Sequence, residues 1–182
     1  MTDHPHQLYA VDFREAGQFR LADFSCGDEL WSRYATEWIR GSDVFSSMKR
    51  GTHVWLYETA DGAIVGFGAL GASTWRWPPP RGEQTTIVLI PMLGIDVRYR
   101  GRPRDPQWRY SRQVMQHLLA EVQFLVGEWP GGADERPEWL VLMVHQDNKR
   151  AIHFYEQCGF ELMPGVTRRG DHLVMKLWIG GL

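Results

Sequence analysis

The run Ile-Val-Leu-Ile-Pro-Met-Leu-Gly-Ile-Asp-Val over residues 87–97, followed at once by Arg98-Tyr99-Arg100-Gly101-Arg102-Pro103-Arg104, constrains the fold more than any other part of the chain. The run is almost wholly apolar, so it reads as a buried strand. Pro91 cannot donate to a central ladder, so that strand breaks between residues 91 and 94. Behind the arginine turn, Val114, Met115, Leu118, Leu119, Val122, Leu125 and Val126 recur at threes and fours. That spacing gives a helix with a wide apolar face, starting near Pro106-Gln107 and reaching Phe124 or beyond. Strand, glycine turn and helix together make a phosphate cradle. Turn amides and the helix N-terminus present N–H groups to an anion, and the helix dipole favours its charge.

Charge distribution sharpens this reading. Six arginines and one acid, Asp105, lie between Arg98 and Arg112, yet the whole chain carries a formal charge of −2. The positive charge is local, and it points to a phosphate-bearing ligand rather than to a generally basic protein. The plain alternative is a solvated turn with no ligand.

The 182 residues are 43% hydrophobic and 23% charged, enough for one domain over 1–182 with a loose tail at residues 1–8. No apolar run reaches the ~18 residues of a membrane span, and the first residues lack an apolar signal core. The expected location is therefore the cytoplasm, with no membrane partner. Cys26 and Cys158 are expected there as reduced thiols.

Other elements follow from periodicity and turn chemistry. Residues 8–13 form a short strand. Asp28 caps a helix that places Leu30, Trp31, Tyr34, Ala35 and Trp38 on one face and ends at Gly41-Ser42. Residues 54–58 and 64–70 are strands joined at an Asp61-Gly62 turn. Residues 75–82, with three consecutive prolines, read as an exposed loop, either an acceptor-site lid or a partner surface. Gly131, Gly132 and Pro137 mark another loop, and residues 139–144 a second buried strand. Asn148 or Asp147 caps a short helix that closes at Gly159. Strands at 160–163 and 173–179 end the chain. Strands first, then strand–helix–strand–helix–strand, gives a mixed α/β (α+β) sandwich around one sheet.

Two segments carry a resemblance. Arg98 and Gly101 stand behind a strand as in the pyrophosphate loop Gln/Arg-x-x-Gly-x-Gly/Ala. Asn148, Ala151, Phe154, Tyr155, Gly159 and Phe160 match the later pattern Asn-x-x-Ala-x-x-Phe-Tyr-x-x-x-Gly-Phe. In this order the two motifs, over roughly residues 50–180, resemble the GNAT superfamily of acyl-CoA-dependent N-acyltransferases. A weaker likeness covers Phe24-Ser25-Cys26-Gly27-Asp28-Glu29-Leu30 and the strand at 54–57. That stretch resembles the opening of GNAT-type toxins of toxin–antitoxin modules, which acetylate the amine of aminoacyl-tRNA.

The resemblance implies a mostly antiparallel sheet of six to seven strands, helices on both faces, and a splayed strand pair forming a cofactor slot. It implies acetyl-CoA as cofactor, held by Leu93, Ile95, Asp96, Val97, Arg98, Arg100, Gly101, Arg102, Arg104, Asn148, Ala151 and Phe154. The implied chemistry is direct attack of a primary amine on the thioester through a tetrahedral intermediate, with Tyr155 as general acid for the CoA thiolate. Glu83, His145 or a bound water could serve as base. The acceptor would be a small molecule, a peptide or aminoacyl-tRNA, and the family often forms homodimers. One departure favours a different class: Pro103 stands at the family's second small residue, and residues 104–108 look inserted. Proline removes a phosphate-binding N–H, so a non-catalytic CoA- or partner-binding module is the alternative. The residues themselves leave bland readings open. Tyr155 would also fit plain core packing. His145 and His153 lack the ligand spacing of a metal site, and Cys158 lacks an activating base.

Overall fold

In the computed structural model the apolar run is broken at Pro91, as its sequence requires. The structure describes residues 4–77, 82–130, 132, 135–163 and 168–180. In chain order these hold β1 (Tyr9–Asp12), α1 (Phe13–Ala16), α2 (Leu30–Arg40), α3 (Asp43–Lys49), β2 (His53–Glu58), β3 (Ile64–Trp77), β4 (Glu83–Ile90) and β5 (Leu93–Ile95). Then come α4 (Tyr110–Gly127), β6 (Trp139–His145), α5 (Lys149–Gln157), β7 (Glu161–Leu162), β8 (Arg168–Arg169) and β9 (His172–Trp178). Contacts gather the chain into two units. One comprises Met1–Ala69 and Met92–Leu119, the other Leu70–Pro91 and Ala120–Leu182.

In the first unit β1 pairs antiparallel with β2, Tyr9 opposite Glu58 and Asp12 opposite Trp55. β5 pairs antiparallel with the first half of β3, Gly66 opposite Ile95 and Gly68 opposite Leu93. Side chains alternate along β2. Val54 and Leu56 enter a core with Phe13, Trp38, Ile39, Val44 and Phe67. Trp55 and Tyr57 turn the other way and meet His117 of α4, each with ring centroids 5.4 Å apart. Helices therefore cover both faces of β2, as expected.

In the second unit the rest of β3 pairs antiparallel with β4, Gly71 opposite Leu89 and Trp77 opposite Glu83. β4 and β6 run parallel from Val88–Leu140 to Ile90–Leu142, and the ladder ends there, one residue before Pro91. A parallel pair needs a crossover, which α4 supplies. β9 pairs antiparallel with β6, β7 and β8. Ile87, Val141, Met163 and Val174 form the core around these strands. The result is the expected mixed, mostly antiparallel α/β arrangement.

Several expectations need correction. Trp75, Arg76 and Trp77 are strand, not loop, because β4 gives them antiparallel partners and the prolines begin only at residue 78. Residues 78–81 lie outside the described residues, as does Gly131. The helix expected from Pro106-Gln107 starts at Tyr110. Residues 106–108 form a separate 3-10 turn, capped by Asp105, which accepts from the Gln107 amide at 2.9 Å. Glu29, not Asp28, holds the N-cap position of α2, through its backbone only. The described residues hold nine strands against the six to seven expected, the difference being β5, set apart from β4, and the two-residue strands β7 and β8. The helix α3 has too short a pattern to read from sequence. The tail is less loose than expected: Gln113 donates to the His6 carbonyl and accepts from the Leu8 amide.

Gly94 shows how tightly the first unit closes over β5. A Cβ there would lie 2.5 Å from a Phe67 ring carbon and 2.6 Å from Cys26 Sγ. Overpacking of this kind costs roughly 1–3 kcal/mol. Gly94→Ala is expected to lower the urea midpoint by a corresponding amount without changing the slope of the transition.

Candidate functional site

The arginine turn is built around one buried carboxylate. Asp96 is fully buried at the end of β5 and caps the 3-10 turn Val97–Tyr99. Its Oδ1 accepts from the Arg98 amide at 2.9 Å and from Arg98 Nε at 2.8 Å. Its Oδ2 accepts from Arg98 Nη2 at 2.9 Å and from the Ser25 amide at 3.2 Å. Burial alone would raise the Asp96 pKa, but these four donors and the guanidinium charge outweigh it and hold the carboxyl below its ordinary value.

The neighbouring strap, residues 25–32, is fastened to the same turn. The Val97 amide donates to the Ser25 carbonyl at 2.8 Å. Arg100 donates to the Cys26 carbonyl and, at 2.8 Å, to Ser32 Oγ, and it lies 3.5 Å from Glu29. The stretch whose sequence looks toxin-like is thus the wall that holds the turn. Cys26 within it is buried, its thiol pushed up to about 12 mainly by that burial, so it stays an inert thiol. Neither Cys26 nor Cys158 is in a disulfide.

These bonds divide the expected cofactor residues by role. The Asp96 side chain has no exposed surface, so only its backbone is available to a ligand. Arg98 and Arg100 hold the turn with their guanidinium groups, although over half of the Arg98 side chain stays exposed. Arg102 and Arg104 are exposed and make no ion pair among the described residues. The amides of Val97, Arg98, Tyr99 and Arg102 are engaged within the chain. Those of Arg100 and Gly101 donate to no group among the described residues. Gly101 has φ +71°, a conformation glycine adopts without strain. Leu93 and Ile95 are half-buried in the β5 ladder, and Val97 is exposed. Two consecutive unengaged amides beside two free guanidinium groups fit a pyrophosphate, even with Pro103 in the turn.

The second unit supplies the later motif. Asn148 caps α5, its side chain accepting from the Ala151 amide at 3.1 Å. Tyr155 is buried on α5 with its ring 5.5 Å from Phe154 and 5.8 Å from Phe160. Its hydroxyl makes no hydrogen bond among the described residues. Burial first, and the nearby Cys158 second, raise its pKa above the ordinary phenol value. The phenol therefore keeps its proton at neutral pH, as a general acid must.

Of the candidate bases, Glu83 stands exposed at the start of β4. His145 Nδ1 accepts from the Asp147 amide at 3.2 Å and lies 3.8 Å from its carboxylate. No group of three potential metal ligands gathers among the described residues. No helix among them is long and apolar enough to cross a membrane. Sequence reasoning missed the clamp role of Asp96. Its signal was the Asp-x-Arg spacing at the end of a strand, the pattern of a side-chain-capped turn.

No protein-family model matches the chain, and no curated protein matches it. Solved structures do. The fold is GNAT-like. A bacterial toxin superposes with a TM-score of 0.69 at 16% identity, over 96% of this chain and 92% of that one. AtaT complexed with acetyl-methionyl-tRNAfMet superposes at 0.66 and 14% identity, over 94% of this chain and 95% of that one. AtaTR bound with AcCoA superposes at 0.66 and 14%, over 94% and 92%. At these identities the likeness shows the fold that the two motifs implied.

The clamp predicts an acid-sensitive fold. A carboxyl whose pKa is lowered on folding stabilises the protein above its unfolded pKa of about 3.9, and that contribution fades as pH falls through the folded value. Asp96→Asn is expected to cost about 1–3 kcal/mol at pH 7 through weakened hydrogen bonds to a charged group. The deficit should shrink in unfolding experiments taken below about pH 3.

Proposed function

We propose that this chain is an acetyl-CoA-dependent N-acetyltransferase that acetylates the α-amine of aminoacyl-tRNA. The observation that carries the enzyme reading is Tyr155, a buried, proton-bearing phenol at the position where the resemblance implies a general acid. The toxin-like structures, one of them AtaT with acetyl-methionyl-tRNAfMet, support the choice of acceptor. So does the strap at residues 25–32, which carries the toxin-like sequence and grips the arginine turn.

The roles of this chain's own residues follow. The Arg100 and Gly101 amides and the Arg102 and Arg104 side chains hold the pyrophosphate of the cofactor. Bound acetyl-CoA supplies the acetyl group as an activated thioester. Tyr155 delivers its hydroxyl proton to the leaving sulfur, which a neutral phenol does more readily than water. Asn148 shapes the start of α5 and so fixes where Tyr155 stands. Asp96 acts on the cofactor only through the turn that it pins.

Tyr155→Phe removes the proton and little else. We expect kcat to fall by about 10²–10⁴-fold with KM for acetyl-CoA little changed, measured as acetyl transfer to purified methionyl-tRNA. Unchanged turnover would remove Tyr155 from the chemistry. Product on free amines but none on any charged tRNA would remove the tRNA acceptor and leave the transferase. Because the phenol pKa is raised, the wild-type rate should show no basic limb from Tyr155 below about pH 10.

A further inference from the structure

The first unit carries a cleft of about 480 Å³ that the cofactor turn and Tyr155 leave unused. Trp108 and Gln107, from the inserted segment, form one wall, and Gln116 and His117 of α4 form another. Tyr57 closes the base and is hydrogen-bonded to His117 Nδ1 at 3.0 Å. The side-chain amides of Gln107 and Gln116 are exposed and engage no group among the described residues. On α4 the positions 112, 113, 116 and 117 share one face at the 3.6-residue period, and Arg109 stands immediately before the helix. Arg112 therefore stands along the cleft's helical edge, and Arg109 is its neighbour at the entry to α4; both are exposed and without an ion pair among the described residues.

A second observation says what shape of group this place takes. The imidazole of His4 lies flat on Trp108, with ring centroids 3.6 Å apart and planes 2° from parallel. The tail thus places a planar nitrogen heterocycle on the indole. A flat stacking platform, free amides that both donate and accept, and arginines on the rim are the elements that recognise an unpaired nucleotide in RNA.

We propose that this cleft is a subsite for one unpaired nucleotide of the RNA acceptor. The base stacks on Trp108 in place of His4, Gln107 and Gln116 meet its polar edge, and Arg109 and Arg112 take the flanking phosphates. The proposal rests on the reading of the acceptor as a tRNA, and it places RNA recognition on residues 107–116 rather than on the chain's net charge.

Fluorescence anisotropy with labelled, deacylated tRNA and no acetyl-CoA tests it apart from catalysis. Trp108→Ala should weaken binding roughly 5- to 150-fold, the range of a lost base–aromatic stack, and Trp108→Phe should restore most of it. His4→Ala should tighten binding, because the competing ring is gone. Arg109→Ala and Arg112→Ala should each lower the salt slope by about 1. Melting curves of each variant separate lost binding from lost folding. Calorimetric titration with acetyl-CoA reports the cofactor reading on the same samples. The subsite is overturned if Trp108→Ala and His4→Ala both leave tRNA affinity unchanged while the arginine variants weaken it, which would be a phosphate surface alone. It is also overturned if adenosine monophosphate binds with the same Trp108 dependence and tRNA does not. Loss of acetyl-CoA binding with Trp108-dependent tRNA binding intact would sink the transferase reading and keep the subsite.

Discussion

The four hydrogen bonds that converge on Asp96 decide the shape of the arginine turn in the first unit. A buried carboxylate with a half-exposed arginine across it is a poor source of net stability, since desolvation consumes much of the attraction. It is a good source of geometry. Each Asp96 oxygen accepts one bond from the Arg98 side chain and one from a backbone amide. Arg100 fastens the other side of the turn to the Cys26 carbonyl and Ser32. The turn is thereby fixed from both ends, and the amides of Arg100 and Gly101 are left in the middle with no internal partner among the described residues. A phosphate cradle works when its donors are held in place and otherwise unused.

Pro103 is better understood from this arrangement than from the sequence pattern. The pattern suggested that a missing N–H would degrade the loop. The two amides that remain unengaged precede Pro103, so the proline lies outside the part of the turn that the clamp presents. The inserted residues after it have their own organisation, a 3-10 turn capped by Asp105 and ending at Trp108. That segment departs from the pattern the chain resembles, and its Gln107 and Trp108 line a cleft of the first unit.

Much of this was legible from residues. The strand break at Pro91, the cap at Asn148 and the crossover helix each follow from a strong local rule, and the structure obeys all three. The motif at residues 148–160 located Tyr155, but only the fold shows that its ring is packed against Phe160. What sequence could not show depends on contacts distant along the chain. The bond from the Ser25 amide to Asp96 spans 71 positions, and no periodicity records it. The misjudged loop at residues 75–77 has the same origin: the prolines that follow are visible, whereas the β4 partner that makes the segment a strand is not. The meeting of His117 on α4 with Trp55 and Tyr57 on β2 is likewise a contact distant along the chain.

The central claim is that the pinned turn holds the cofactor. Titration of the chain with acetyl-CoA while its melting temperature is followed tests that claim most directly. A ligand at about 100 times its dissociation constant adds about 2.7 kcal/mol of stability. A saturable rise is expected with acetyl-CoA and with CoA, one that falls sharply in Asp96→Asn at the same ligand concentration. No rise at millimolar acetyl-CoA would contradict it, and the arginine turn would then be a solvated surface rather than a phosphate site.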